Sequence, residues 1–256
     1  MQTLTQTTWE AQHIKPAADG LTIIGQLGQS LDGQIATATG HSKYINGQGG
    51  LAHLHALRAW ADVVVVGVGT VVADNPKLTV RLTKGQDPDR VVIDPSARAP
   101  AQSVCLQDGP AASSVRRVIL TAAHAQADSA TMVGHWPKGV EQITLASSMD
   151  PCHGQCADDT MDETTGKPSL NPSDIRAWLA QQGWQRVLLE GGAATLAGFL
   201  RSGCLDYLHL IVSPVLLGPG VAGVHANPVV HLAQAPRFQV KPFALGDDLL
   251  MECAFA

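Results

Sequence analysis

Residues 62–68 read DVVVVGV, four consecutive valines between an aspartate and a glycine. A strand with one face in water alternates apolar and polar side chains. A run that is apolar at every position belongs to a strand covered on both faces. Such strands sit in parallel sheets, whose crossover connections lay helices on either side. The rest of the chain must then supply strands and helices in alternation.

It does. Strand-like runs occupy 21–27 (LTIIGQL), 90–94 (RVVID), 116–121 (RRVILT), 141–146 (EQITLA) and 185–190 (QRVLLE). Helical spacing appears between them. Over 48–60, Leu51, Leu54 and Leu57 recur on one stripe. Over 173–182, Ser173 reads as the N-cap, Ile175, Trp178 and Leu179 as the buried stripe, and Gly183 as the stop. A third helix is expected over 192–202, ended by Gly203. The pattern predicts an α/β fold with a mainly parallel central sheet and helices on both faces. The rhythm then changes. Residues 205–217 and 237–256 are strand-like with little helix between them, and LGDD at 245–248 reads as a hairpin turn, so the C-terminal sheet edge is expected to be antiparallel. Residues 1–20 read as a lead-in, 21–256 as a single domain, and 147–172 as an irregular surface loop.

Composition narrows the function. The chain has 256 residues, 45% apolar and 15% charged, ordinary for a globular enzyme. Net charge is −5 with no Lys/Arg-rich run, which argues against nucleic acid or an anionic membrane surface as the main partner. The longest nearly unbroken apolar stretch, 61–73, is too short to cross a bilayer. No secretion signal is visible, and five scattered cysteines do not form a disulfide framework, so a cytoplasmic setting is expected.

Several chemistries find little support. Cys152, His153 and Cys156 in PCHGQC lack the two-residue spacing and the fourth ligand of a zinc site, so no metal is expected. His53 and His55 lie about 200° apart on one helix and do not converge on one ion. There is no G-x-S-x-G nucleophile elbow. Two glycine turns are more informative: Gly67-Val68-Gly69-Thr70 after the valine run, and Gly191-Gly192 after Glu190. Both stand at strand ends, where open α/β sheets collect ligands, and the second leads into a helix whose first N–H groups lack internal partners. Either is also a plain tight turn. Arg58 and Arg81 flank the first turn and could clamp a phosphate, or could be two solvated charges.

Six blocks in order carry a family resemblance: GQSLDGQIA at 28–36, HSKYING at 41–47, LRAWADVVVVGVGTVVADNPKLTVR at 57–81, RVVIDPSAR at 90–98, LLEGGAATLAGFL at 188–200 and LDYLHLIVSPVLLGPG at 205–220. They resemble the reductase domain of riboflavin biosynthesis, the C-terminal half of the bifunctional bacterial deaminase–reductase. The resemblance implies a dihydrofolate-reductase-like fold, NADPH as cofactor, and a homodimer. The implied reaction reduces the ribosyl group of a phosphorylated ribosylamino-pyrimidine to ribityl. By position, it implies that Ser42, Arg58, Leu78, Arg81 and Glu190 contact substrate, with Glu190 also the catalytic candidate. It places Tyr44, Gly69, Thr70, Asp74, Gly191, Gly192, Ala193, Ala194, Thr195 and Leu196 at the cofactor. Arg98, four residues after Asp94, is a candidate for the ribose 2′-phosphate. No H-x-E and no P-C-x-x-C occurs, so deamination is not expected. The alternatives are a pterin or folate reductase on the same fold, or a non-catalytic NADPH-binding protein.

Overall fold

The computed structural model describes residues 9–11, 14–43, 45–107, 115–123, 136–146, 169–224 and 226–255. The valine run forms β3 (Val63–Gly67), and all four valines have no solvent exposure. Its neighbours are β4 (Asp89–Ile93) and β7 (Arg186–Glu190), both parallel to it. Outward from β4 lie β5 (Arg117–Ala122) and then β6 (Val140–Leu145). Outward from β7 lie β1 (Thr22–Ser30) and β8 (Tyr207–Ser213), again parallel. The edge beyond β8 is a hairpin, β10 (Gln239–Leu245) and β11 (Asp248–Ala254), with β11 antiparallel to both of its neighbours. A separate two-stranded sheet pairs β2 (Gln34–Thr37) with β9 (Gly220–Ala222).

Alternate side chains of the central strands feed two cores. Val63 and Val65 pack with Val187, Leu189, Ile175, Trp178, Leu196 and Phe199, beneath α3 (Pro172–Gln181) and α4 (Ala193–Arg201). Val64 and Val66 pack with Leu188, Leu57 and Val71, beneath α1 (Gln48–Trp60) and α2 (Val68–Asp74). At about 1.5–3 kcal/mol per fully buried aliphatic side chain, these strands anchor both layers. The two-sided covering predicted from consecutive valines is what forms.

Two local readings differ from the structure. The valine strand stops at Gly67, and the next seven residues form α2. Its β-branched content hides it from propensity, because Val68, Val71 and Val72 disfavour helix; burial of Val68 and Val71 one turn apart compensates. The N-cap of α3 is Asn171, whose side-chain oxygen accepts from the Ser173 N–H at 2.8 Å, with Pro172 in the first turn. The lead-in is anchored at Trp9, whose Nε1–H donates to Glu252 Oε2 at 2.8 Å. Trp9 also packs edge-on against His53 and His209, whose rings meet Nε2 to Nδ1 at 3.0 Å. Burial pushes the His53 pKa down to about 4 and that of His209 well below the ordinary range, so both are neutral at pH 7. Of the loop expected at 147–172, residues 147–168 lie outside the described residues, as do Cys152, His153 and Cys156.

Candidate functional site

The site is built where β3, β4 and β7 end side by side. Glu190 is the last residue of β7, paired in register with Val66 on one side and Gln26 on the other. Gly191 follows with φ 124°, a backbone state that L side chains rarely adopt, and a Cβ there would lie 2.7 Å from Thr70 Oγ1. Gly192 then caps α4 without a side chain, and its N–H donates instead to Thr70 Oγ1 at 2.9 Å. The reciprocal approach also occurs: a Cβ on Gly67 would run into Thr195 Oγ1. The two glycine turns of the sequence are therefore interlocked through two threonines, and the start of α4 is fixed against the start of α2.

Beside this lock opens a cavity of about 370 Å³. Gly69, Thr70, Gly192, Ala194 and Thr195 line it, together with Ile93, Pro95, Leu170, Pro172 and Ile175. Among the described residues, Arg98 is its one charged lining residue and no carboxylate faces it. Asp94, at the end of β4, is fully buried, and its Oδ2 accepts the Ala99 N–H at 2.7 Å. Burial raises the Asp94 pKa, and backbone N–H groups of the turn partly offset this. Not all the expected cofactor residues face the cavity. Ala193 and Leu196 turn their side chains into the core, so only their backbones could meet a ligand. Asp74 is exposed at the far end of α2, one residue before the αL cap Asn75, and does not line the cavity. Tyr44 lies outside the described residues.

On the other side of Glu190 stands Arg58, late on α1. Its Nε and Nη2 donate to Glu190 Oε1 and Oε2 at 2.6 and 2.7 Å, a bidentate pair with side chains 7% and 8% exposed. Burial pulls the Arg58 pKa down, but the charge and hydrogen bonds of Glu190 outweigh it, so the guanidinium stays protonated. Nη1 donates to the Thr79 carbonyl at 3.1 Å. The expected two-arginine clamp therefore takes another form. Arg58 is neutralised by Glu190 and spans to the 78–81 segment, whereas Arg81 is exposed. Leu78 is 1% exposed with φ 53°, unusual for a bulky side chain. Ser42 is half-buried on the connection between β2 and α1.

Three contributors carry no sequence signal: His55, which accepts the Arg81 N–H at 3.0 Å, Asp87, which accepts the Val80 N–H at 2.7 Å, and the apolar wall from Leu170 to Ile175. Nothing marks the two acceptors in one dimension, because they meet their partners 26 and 7 residues away. Among the described residues there is no group of three or more metal-ligating side chains, and no helix is long and apolar enough to cross a membrane.

Comparison with known proteins places this arrangement. Residues 21–241 match the model of the RibD C-terminal domain. The chain is 29% identical over 237 residues to the 2,5-diamino-6-ribosylamino-4(3H)-pyrimidinone 5′-phosphate reductase of Methanothermobacter thermautotrophicus, covering 90% of this chain and 96% of that one. It is 31% identical over 197 residues to the riboflavin biosynthesis protein RibD of Bacillus amyloliquefaciens, covering 75% of this chain and 45% of that protein. Among solved structures, the deaminase/5-amino-6-(5-phosphoribosylamino)uracil reductase of Thermotoga maritima superposes with a TM-score of 0.69 at 23% identity, over 92% of this chain and 57% of that one. The riboflavin biosynthesis reductase Rib7 of Saccharomyces cerevisiae superposes at 0.63 with 17% identity, over 96% and 94%. The chain thus spans nearly all of the Methanothermobacter reductase and about half of the Bacillus RibD protein. It belongs to the RibD C-terminal domain family.

Proposed function

We propose that this member of the RibD C-terminal domain family is an NADPH-dependent reductase that converts the ribosyl group of a 5′-phosphorylated ribosylamino-pyrimidine into a ribityl group. One observation carries the reading. A single strand end, that of β7, presents a carboxylate held by Arg58 and, directly after it, the glycine bend and helix start that border the cavity. Two ligands can therefore be brought together at one point, which is what hydride transfer needs.

The residues fit a nicotinamide dinucleotide phosphate. The first N–H groups of α4 suit a pyrophosphate, the apolar wall suits an adenine ring, and Arg98 suits a 2′-phosphate. In an NAD-selective site a carboxylate at this position would meet the ribose hydroxyls; here the Asp94 carboxylate is fully buried, with Oδ2 accepting the Ala99 N–H. Bound NADPH supplies the hydride. The protein's part is positioning. Both Glu190 oxygens accept from Arg58, and a carboxylate has about four acceptor sites, which leaves two for substrate hydroxyl or amine protons. A carboxylate gripped in this way suits an acceptor that orients the substrate. In this reading Arg81 and Ser42 hold the 5′-phosphate and Leu78 lines the substrate pocket.

The same reading includes a homodimer. Among the described residues strand β10 is an open sheet edge, largely exposed, with Val240 on it 47% exposed and Leu249 on β11 37% exposed. Such an edge is a pairing surface. Sedimentation equilibrium tests it, and a monomer at micromolar protein refutes it.

The decisive assay is loss of 340 nm absorbance when the protein meets NADPH and either 5-amino-6-(5-phosphoribosylamino)uracil or its 2,5-diamino-pyrimidinone counterpart. Stoichiometric appearance of the ribitylamino product supports the proposal. Turnover of a dihydropterin, with neither phosphorylated pyrimidine reduced, refutes it.

A further inference from the structure

The segment from Leu78 to Arg81 is held with unusual completeness. Leu78 sits at φ 53°, a conformation that costs a bulky L residue of the order of 1–3 kcal/mol and persists only where the surroundings impose it. Three side chains impose it here. Arg58 donates to the Thr79 carbonyl at 3.1 Å, Asp87 accepts the Val80 N–H at 2.7 Å, and His55 accepts the Arg81 N–H at 3.0 Å. Three successive residues are thus each tied to a different side chain. Two of the three ties come from one face of α1, since His55 and Arg58 are three residues apart on that helix. The same Arg58 grips Glu190, so the segment is fixed relative to the end of β7.

We propose that His55 is a positioning residue: its Nδ1 holds the Arg81 backbone so that the Arg81 guanidinium faces the substrate's 5′-phosphate. The inference rests on the reading of Arg81 as the phosphate arm. The histidine type matters. To accept the Arg81 N–H, Nδ1 must carry no proton, which places the proton of the neutral ring on Nε2. The charged groups around the ring are Arg58 on its own helix, Arg81 on the held segment, Asp87 beyond it and Glu190 on β7. Burial, then the two arginines, lower the His55 pKa from its ordinary value, and the two carboxylates offset this only in part. At pH 7 the ring is therefore neutral and the tie intact. Acidification turns the acceptor into a second donor facing the Arg81 N–H, and the segment is released.

Two variants test this. His55→Asn keeps an acceptor oxygen close to where Nδ1 stood, and that oxygen does not titrate. His55→Leu removes the acceptor. With 5-amino-6-(5-phosphoribosylamino)uracil, His55→Leu is expected to raise KM about tenfold, the size of one lost buried hydrogen bond, with kcat and the KM for NADPH changed much less. His55→Asn should recover most of that loss at pH 7. It should also lack the part of the acidic rise in KM that the wild type shows beyond the substrate's own phosphate titration near pH 6. Equal KM values in all three proteins, or an identical acid limb in the wild type and His55→Asn, overturn the proposal. If His55→Leu does not fold, the comparison of wild type with His55→Asn still decides it. A KM unchanged by Arg81→Ala refutes the assignment of Arg81 to the phosphate. Hydrogen exchange at the Arg81 amide then reads the tie itself, which predicts faster exchange on loss of the acceptor and is overturned by equal rates.

Discussion

Consider Arg58→Ala. The guanidinium it removes makes two hydrogen bonds of 2.6 and 2.7 Å to Glu190, with both side chains under a tenth exposed, and a third bond to Thr79 O. The substitution leaves the Glu190 carboxylate buried without its counter-charge. Breaking such a pair by deleting one partner costs about 3–5 kcal/mol, most of it the uncompensated charge. For a chain of this size each kcal/mol moves Tm by about 2–4 °C, so the expected fall is roughly 6–20 °C. Substituting both partners by apolar residues, as in Arg58→Met with Glu190→Leu, removes the stranded charge. The double variant should therefore be more stable than the sum of the single losses implies, with a coupling of at least about 2 kcal/mol. Urea unfolding of the wild type, Arg58→Met, Glu190→Leu and the double variant, followed by circular dichroism, supplies the cycle. If Arg58→Ala lowers Tm by less than about 2 °C and the four free energies add, the pair is not structural and Arg58 is free for a ligand.

Other outcomes follow from the same structure. Arg98→Ala should raise the KM for NADPH roughly ten- to a hundredfold, the size of a charge-assisted hydrogen bond, and leave the weaker use of NADH unchanged; the ratio of the two KM values is the measurement. Gly191→Ala places a side chain at φ 124° and within 2.7 Å of Thr70 Oγ1, so it should cost about 1–3 kcal/mol and weaken NADPH binding, measured by chemical denaturation and by nucleotide fluorescence. The buried pair His53 and His209 gives a pH dependence whose sign is fixed. The folded-state pKa of His53 is about 4, below its unfolded value near 6.5, so the unfolded chain binds more protons between these values. Stability is complete above about pH 6.5 and falls as pH drops toward 4, by about 3 kcal/mol from His53 alone. Urea midpoints at pH 5 and pH 7 should differ accordingly, and His53→Gln should flatten the difference.

The alternation of strands and helices, the parallel centre and the antiparallel hairpin edge are all legible in the chain, because burial on two faces, helical spacing and turn residues are local or nearly local signals. Consecutive valines at 63–66 announce a strand covered on both sides, and LGDD announces the hairpin. The family blocks likewise stand in order along the chain. Tertiary structure decided what these residues do to one another. No spacing rule reveals that Arg58 spends its charge on a carboxylate 132 residues away, or that Thr70 rather than a ligand takes the Gly192 N–H. Nor does the sequence show that Asp94 is buried while Arg98 borders the cavity, or that a histidine sets the backbone of Arg81. The helix α2 was hidden for the same reason: its valines disfavour helix, and only packing beneath the sheet overrides them. Pairing between distant charged groups depends on where strands end in space, which the one-dimensional pattern does not encode.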